Sequence, residues 1–357
     1  MAHQHMFRTA AALTAVAAFT ATGCAKGLDE SSGGGGSGEL SEEATQVIER
    51  TSSETCTNPS PSGEDLSEMV VGFSQSENEQ NPFRAVETQS VRAAVEENAE
   101  GFLYTNANSD QAKQLSDIRS MINQGVDALI VAPISSTGLQ SAFDAASDAG
   151  VLVVTIDRQT AGTPCEDYLT FLGSDFREQG VRAAEAMVEA IEGEGRIVEI
   201  QGAPGSDVAT LRTEGFESVI SEETDMEIVA QQTANWSTSE AQQVVSQLLI
   251  SNPDINGVYT HSDTMALGAL TAIENAGLTP GEDIKVVSID GTEEAVSAVA
   301  EGDIAAVVET NPRFGPAAVQ MLEDWFAGEA VPQEVIMKDS LYTAENAQEA
   351  LDSGAAY

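Results

Sequence analysis

The stretch VLVVTIDR, residues 151–158, decides the fold. A run of aliphatic and β-branched residues stops without a spacer at Asp157 and Arg158. DALIVAP (127–133), INGVYTHSD (255–263) and IKVVSIDG (284–291) share the design: an apolar run, then small, polar or charged residues ahead of the next helical pattern. Such segments are strand C-termini. In an open parallel α/β sheet ligands sit in the crevice outside those ends, where side chains and backbone are released from the sheet. Asp157, Arg158, Asp263 and Asp290 are thereby placed for binding. The alternative for any single Asp is a strand turning polar as it reaches solvent. The Asp-Arg pair says more, because a fork of donors beside a pair of acceptors suits neighbouring hydroxyl groups.

Working outward, β-type runs at 70–74, 102–105, 128–131, 152–156, 169–172, 197–200, 227–230, 257–259, 284–289 and 305–308 alternate with helical patterns. The clearest helices are 110–123, 139–149, 177–191, 239–250 and 263–275, with Gly125, Gly150, Gly195 and Gly277 where C-caps belong. The pattern is α/β and doubly wound. So many strands make an uncomfortable single sheet, so two parallel-sheet lobes are expected, dividing near Gly173-Ser174-Asp175. Two lobes joined there without a polar linker imply a hinge around a cleft.

The first 23 residues read as an export signal: Arg8 is the charged region, 10–19 a short apolar stretch, and Ala21-Thr22-Gly23 small residues before Cys24. That stretch is too short to span a bilayer. Small residues before a Cys resemble the bacterial lipobox, which implies lipidation of Cys24; a secreted protein with a free Cys24 is the alternative. Residues 24–67, with a Gly33–Gly36 run, read as a tether with a reach of roughly 35 to 40 Å if fully flexible, less if 40–50 forms a short helix. With Cys24 lipidated, Cys56 and Cys165 remain as an even pair in an oxidising compartment, either as a disulfide or as two free thiols.

The 58 acidic residues outweigh 15 basic ones, for a formal charge of −43. Such a field repels nucleic acid and anionic membrane, so neither is an expected partner. An excess of this size is tolerable where salt screens it, which points to a salt-tolerant source. Of three His, His3 and His5 lie in the signal, leaving His261; a His-cluster metal site and a His-based triad are not expected. No G-x-S-x-G elbow, P-loop or dinucleotide fingerprint occurs. No catalytic residue, metal or cofactor is assigned.

From residue 70 to 357 the chain resembles the periplasmic sugar-binding proteins of bacterial ABC importers, the type I solute-binding family. The likeness rests on GFSQ (72–75), Arg84, Glu87, IVAP (130–133), IDR (156–158), VEIQG (198–202), MALGALTAIENAGLTPGEDI (265–284) and SIDG (288–291), and looks most like the galactofuranose-binding members. It implies a pocket in which Asn81, Phe83 and Arg84 come from the first strand-to-helix turn and Asp157 and Arg158 grip hydroxyls. Arg212 would reach in from the second lobe, Trp236 lie on the sugar face, and Asp290 close the far side. Ser262 stands where relatives carry Asn, and Thr310 where ribose binders carry Gln, so the particular sugar is left open. For Phe83 and Trp236 ordinary core packing is the alternative.

The resemblance implies a monomeric, extracytoplasmic lipoprotein that closes two lobes over a monosaccharide and delivers it to an ABC permease, touching the membrane only through its anchor. Its lobes would be 69–174 with 312–338 and 175–311 with 341–357, a three-segment hinge between them. Three readings stand beside it. A sugar sensor presenting its ligand to a membrane receptor would look the same, and converging Arg84, Arg158 and Arg212 also suit an anionic sugar derivative. A repressor-like regulator of the same fold is opposed by the signal, the acidic charge and the lack of a helix-turn-helix.

Overall fold

The apolar runs pair as parallel strands because each is buried on both faces, so helices must cover both sides. The structure is a computed structural model describing residues 40–357 apart from Ser62 and Glu64. The signal, Cys24 and the glycine run lie outside the described residues.

The chain opens with α1 (Glu42–Val47), β1 (Ile48–Thr51) and β2 (Thr55–Cys56), then alternates through β3 (Val70–Gln75), α2 (Pro82–Asn98), β4 (Gly101–Asn106), α3 (Gln111–Asn123), β5 (Ala128–Val131), α4 (Gln140–Ala149), β6 (Leu152–Ile156) and β7 (Thr170–Gly173). Next come α5 (Phe176–Ala190), β8 (Gly195–Gln201), α6 (Asp207–Ile220), β9 (Met226–Thr233), α7 (Thr238–Ser251), β10 (Gly257–Thr260), α8 (Asp263–Asn275), β11 (Lys285–Asp290), α9 (Glu293–Glu301) and β12 (Ala306–Glu309). The chain ends with α10 (Gly315–Ala327), β13 (Val331–Pro332), β14 (Glu334–Met337), β15 (Leu341–Thr343) and α11 (Ala347–Ser353).

One lobe is built on a seven-stranded sheet, β1-β14-β7-β6-β5-β3-β4, the other on a six-stranded sheet, β15-β12-β11-β10-β8-β9. Each is parallel except for one edge strand: β1 runs antiparallel to β14, and β15 to β12. Side chains alternate between faces as a strand demands. Ala128 and Ile130 enter the core shared with α2 and α10, while Leu129 and Val131 enter the core under α3 and α4. In the second lobe Val286 and Val287 divide in the same way.

The chain passes between lobes three times: at Gly173–Asp175, after β12, and between β14 and β15. Asp339, on the third passage, accepts hydrogen bonds from Ser174 Oγ (3.0 Å) on the first and the Asn311 amide (2.9 Å) on the second, and from Gln179 Nε2 (2.8 Å) of α5. Burial outweighs these donors and pushes its carboxyl up to about 7. One side chain thus ties all three passages.

Three expectations need correction. The tether reading fails from Leu40 onward, because α1, β1 and β2 fold onto the first lobe and β2 pairs with β13. Ala44, Ile48 and Cys56 are the buried anchors, and Cys56 is bonded to Cys165 with Cα atoms 5.3 Å apart. Gly195 does not end α5: it opens β8, and the left-handed residues there are Glu192 at φ 56° and Gly193 at φ 74°. Finally, β13, β14 and β15 are too short to show a sequence pattern, and β13 and β14 pair with strands far away in sequence.

Candidate functional site

The C-terminal ends of both sheets face one cleft enclosing about 460 Å³, its mouth included. The first lobe supplies Arg84 from the opening turn of α2, whose N-terminus is capped by Asn81 Oδ1 accepting from the Phe83 amide (3.0 Å). Arg84 is ion-paired to Glu87 (2.8 Å), Asp157 (2.7 Å) and Glu77 (3.3 Å). Arg158 pairs with the other oxygen of Glu77 (3.0 Å) and donates to the Ile134 carbonyl (3.0 Å). Glu77 therefore bridges two guanidinium groups; although burial opposes it, Arg158 and Arg84 hold its carboxyl down at about 2. Beneath it burial pushes Glu87 up to about 7, against the pull of Arg84.

The second lobe supplies Arg212, held in place by the packing of α6 on α5. Helix axes come this close only where side chains are missing: a Cβ on Gly180 would lie 2.3 Å from the Arg212 carbonyl, and one on Gly215 2.0 Å from that of Arg177. Arg212 donates to Gln179 Oε1 (3.0 Å), Thr310 Oγ1 (2.7 Å) and the His261 carbonyl, with Asp290 at 3.8 Å. Asp290 is raised to about 8 by burial, Arg212 opposing and Asp263 adding to the rise. Trp236 lies on Gly202, where a Cβ would come within 2.0 Å of the indole, so the ring is seated flat against the strand end. Ser262, the N-cap of α8, and Thr310 complete this wall. Across the mouth, the Gln159 amide of the first lobe donates to Asp207 of the second (3.2 Å).

Asp157 (φ 67°), Trp236 (φ 61°) and Asp290 (φ 142°) hold backbone conformations that L-residues disfavour. Strain of about 1 to 3 kcal/mol each persists where surrounding structure over-determines it, and such residues cluster at working sites. Asp263 shows how this is done at Asp290, and it also corrects the sequence reading. It is fully buried and absent from the cleft wall; its carboxylate accepts from Ser288 Oγ (2.7 Å), the Gly291 amide (2.8 Å) and the Thr292 amide (2.7 Å). A strand-end carboxylate that is also the first residue of a helix found backbone donors on the next strand end instead of a ligand.

The other residues singled out in the sequence meet in the cleft wall: Asn81, Phe83, Arg84, Asp157, Arg158, Arg212, Trp236, Ser262, Asp290 and Thr310. Phe83 serves both alternatives, since it is also part of the first-lobe core. Glu77, Phe176, Val208 and Thr264 were missed. Glu77 was within reach, for it follows the end of β3 as Asp157 follows the end of β6. The wall's Arg84 and Arg158 are matched by Glu77 and Asp157, while Arg212 faces the proton-holding Asp290, so it offers paired donors and acceptors plus an indole face. Among the described residues no group of His, Cys, Asp or Glu is arranged to hold a metal ion, and no helix is long and apolar enough to cross a membrane.

Comparison with known proteins agrees with this geometry. The model of the periplasmic binding protein domain matches residues 71–330. The chain belongs to that family. Periplasmic binding proteins similar to it include the galactofuranose-binding protein of Escherichia coli K12, 30% identical over 289 residues, covering 80% of this chain and 91% of the relative. A Mycobacterium smegmatis structure in complex with β-D-fucofuranose is 36% identical with a TM-score of 0.75, covering 80% of this chain and 95% of that one. The binding component of the arabinose ABC transporter of Shewanella sp. ANA-3, bound to α- and β-L-arabinofuranose, is 32% identical with a TM-score of 0.76 and the same coverage.

Proposed function

We propose that this protein is an extracytoplasmic lipoprotein, anchored through Cys24, that captures a neutral monosaccharide in its furanose form between the two lobes and delivers it to an ABC permease. The observation that carries the reading is the opposition of Asp157 and Arg158 on one lobe to Asp290 and Arg212 on the other, with the first lobe's Arg84 and Arg158 already matched by Asp157 and Glu77. Vicinal hydroxyls satisfy such alternating donors and acceptors, while on the first lobe an added anion has no unmatched cation to meet. Trp236 gives the ring's C–H face an apolar partner. Three relatives bind fucofuranose, arabinofuranose or galactofuranose, which supports a furanose.

Native mass spectrometry of freshly purified protein, followed by calorimetry with L-arabinose, D-galactose, D-fucose, D-ribose and D-galacturonate, tests the site. A retained neutral pentose or hexose, with a neutral sugar bound and galacturonate refused, is expected. Binding of galacturonate alone, or of no sugar at all, overturns it. Cys24→Ala should release the protein to the medium; unchanged membrane fractionation defeats the anchor.

A further inference from the structure

One residue that joins the two lobes beside the cleft is Tyr357, which follows α11. Its backbone belongs to the second lobe: its amide donates to the Gly291 carbonyl (3.1 Å) and its carbonyl accepts from the Glu293 amide (2.5 Å). Its hydroxyl shares its single proton between the carbonyls of Asp290 (2.9 Å) and Thr310 (3.3 Å), the two cleft residues at the ends of β11 and β12. Its ring belongs to the other lobe. It packs against the first-lobe core, edge to face with Phe83 at 6.3 Å, and the Arg313 guanidinium lies 5.8 Å from its centroid.

We propose that Tyr357 is a positioning residue that couples lobe closure to the shaping of the second lobe's half of the site. Asp290 sits at φ 142°, a conformation it keeps only while its neighbours hold it. Asp263 holds the amides that follow it, and Tyr357 holds its carbonyl. Phe83 moves with the first lobe, so opening strips one face from the tyrosine ring and loosens the hydroxyl under Asp290. Closing restores both together, and the bound state gains stability that the open state lacks.

The test uses the full chain carrying spin labels on non-natural ketone side chains at Asp148 and Gln247, both exposed and one on each lobe, which leave the disulfide intact. Distances between labels, and affinities and release rates for L-arabinose and D-galactose, are measured for the parent, Tyr357→Phe and Tyr357→Leu. Tyr357→Leu should enlarge the long-distance, open population of the sugar-free protein. Tyr357→Phe keeps the ring, so it should preserve that distribution yet speed sugar release by about two- to tenfold. A parent-like distance distribution in Tyr357→Leu overturns the proposal, as does parent-like release in Tyr357→Phe. Closure over a sugar is taken from the proposed function, but the sugar-free distances stand apart from it. If neither sugar binds the parent, those distances alone decide, and the functional reading is what has failed.

Discussion

Glu77 decides what charge the first-lobe wall presents. With its two oxygens on Arg84 and Arg158 it cancels cation at the point where a ligand's edge would enter. Glu77→Gln keeps the shape and removes the charge, leaving a guanidinium partly exposed to the cleft. The variant should bind D-galacturonate at least about tenfold better than the parent, roughly 1.4 kcal/mol, and neutral sugars no better. Calorimetry that finds galacturonate still refused would show that shape, not charge, excludes acids. The same scale explains what the sequence could and could not say. Asp157, Arg158 and Asp290 were legible because an apolar run ending in charge is a local pattern. Asp263 looked identical, and only the neighbouring strand end, with its free Gly291 and Thr292 amides, made it a brace for Asp290.

At the scale of elements the alternation of apolar runs and amphipathic helices was enough for two doubly wound sheets and for the Gly173–Asp175 passage. The short edge elements were not legible. α1, β1 and β2 bury few residues each, and their partners β13 and β14 lie nearly three hundred residues away, so composition alone makes the segment look like a linker. Two predictions belong here. The disulfide closes a loop of 109 residues, and replacing both Cys56 and Cys165 by Ser should cost about 2 to 5 kcal/mol in chemical denaturation, with sugar affinity within about twofold, since the bond lies outside the cleft. Equal stability of the two forms would show that β2 is held by its strand pairing alone. Gly215→Ala should do the reverse of a distant change. Its Cβ would press on the Arg177 carbonyl, shift α6 from α5 and carry Arg212 with it, weakening sugar binding by at least about tenfold. Parent-like affinity in a folded variant would break the link between helix packing and Arg212.

For the whole molecule the governing fact is a formal charge of −43, and two effects act on it with the same sign. Burial raises Glu87 to about 7, Asp263 to about 6, Asp290 to about 8 and Asp339 to about 7. Between the unfolded carboxylate value of about 4 and those values the folded protein holds protons that the unfolded chain has lost, so stability falls as pH rises through that window and levels off above about 8. Glu77 runs the other way, but its contribution is lost only as pH falls from about 4.5 towards 2, outside the window; His261, whose imidazole burial pushes down from its ordinary 6.5, opposes the trend in the lower part of the window as one group against four. Surface repulsion also grows as carboxylates ionise, and salt separates the two effects. Raising NaCl from 0.1 to 1 M shortens the screening length from about 10 to about 3 Å, which quiets surface repulsion but hardly touches groups that are buried. At 0.1 M NaCl the melting temperature should fall between pH 5 and pH 8. At 1 M it should be higher throughout, with the larger gain at pH 8, and a smaller downward slope should survive. A melting temperature indifferent to salt would remove the repulsion, and a slope that vanishes at 1 M would remove the buried carboxyls as its source.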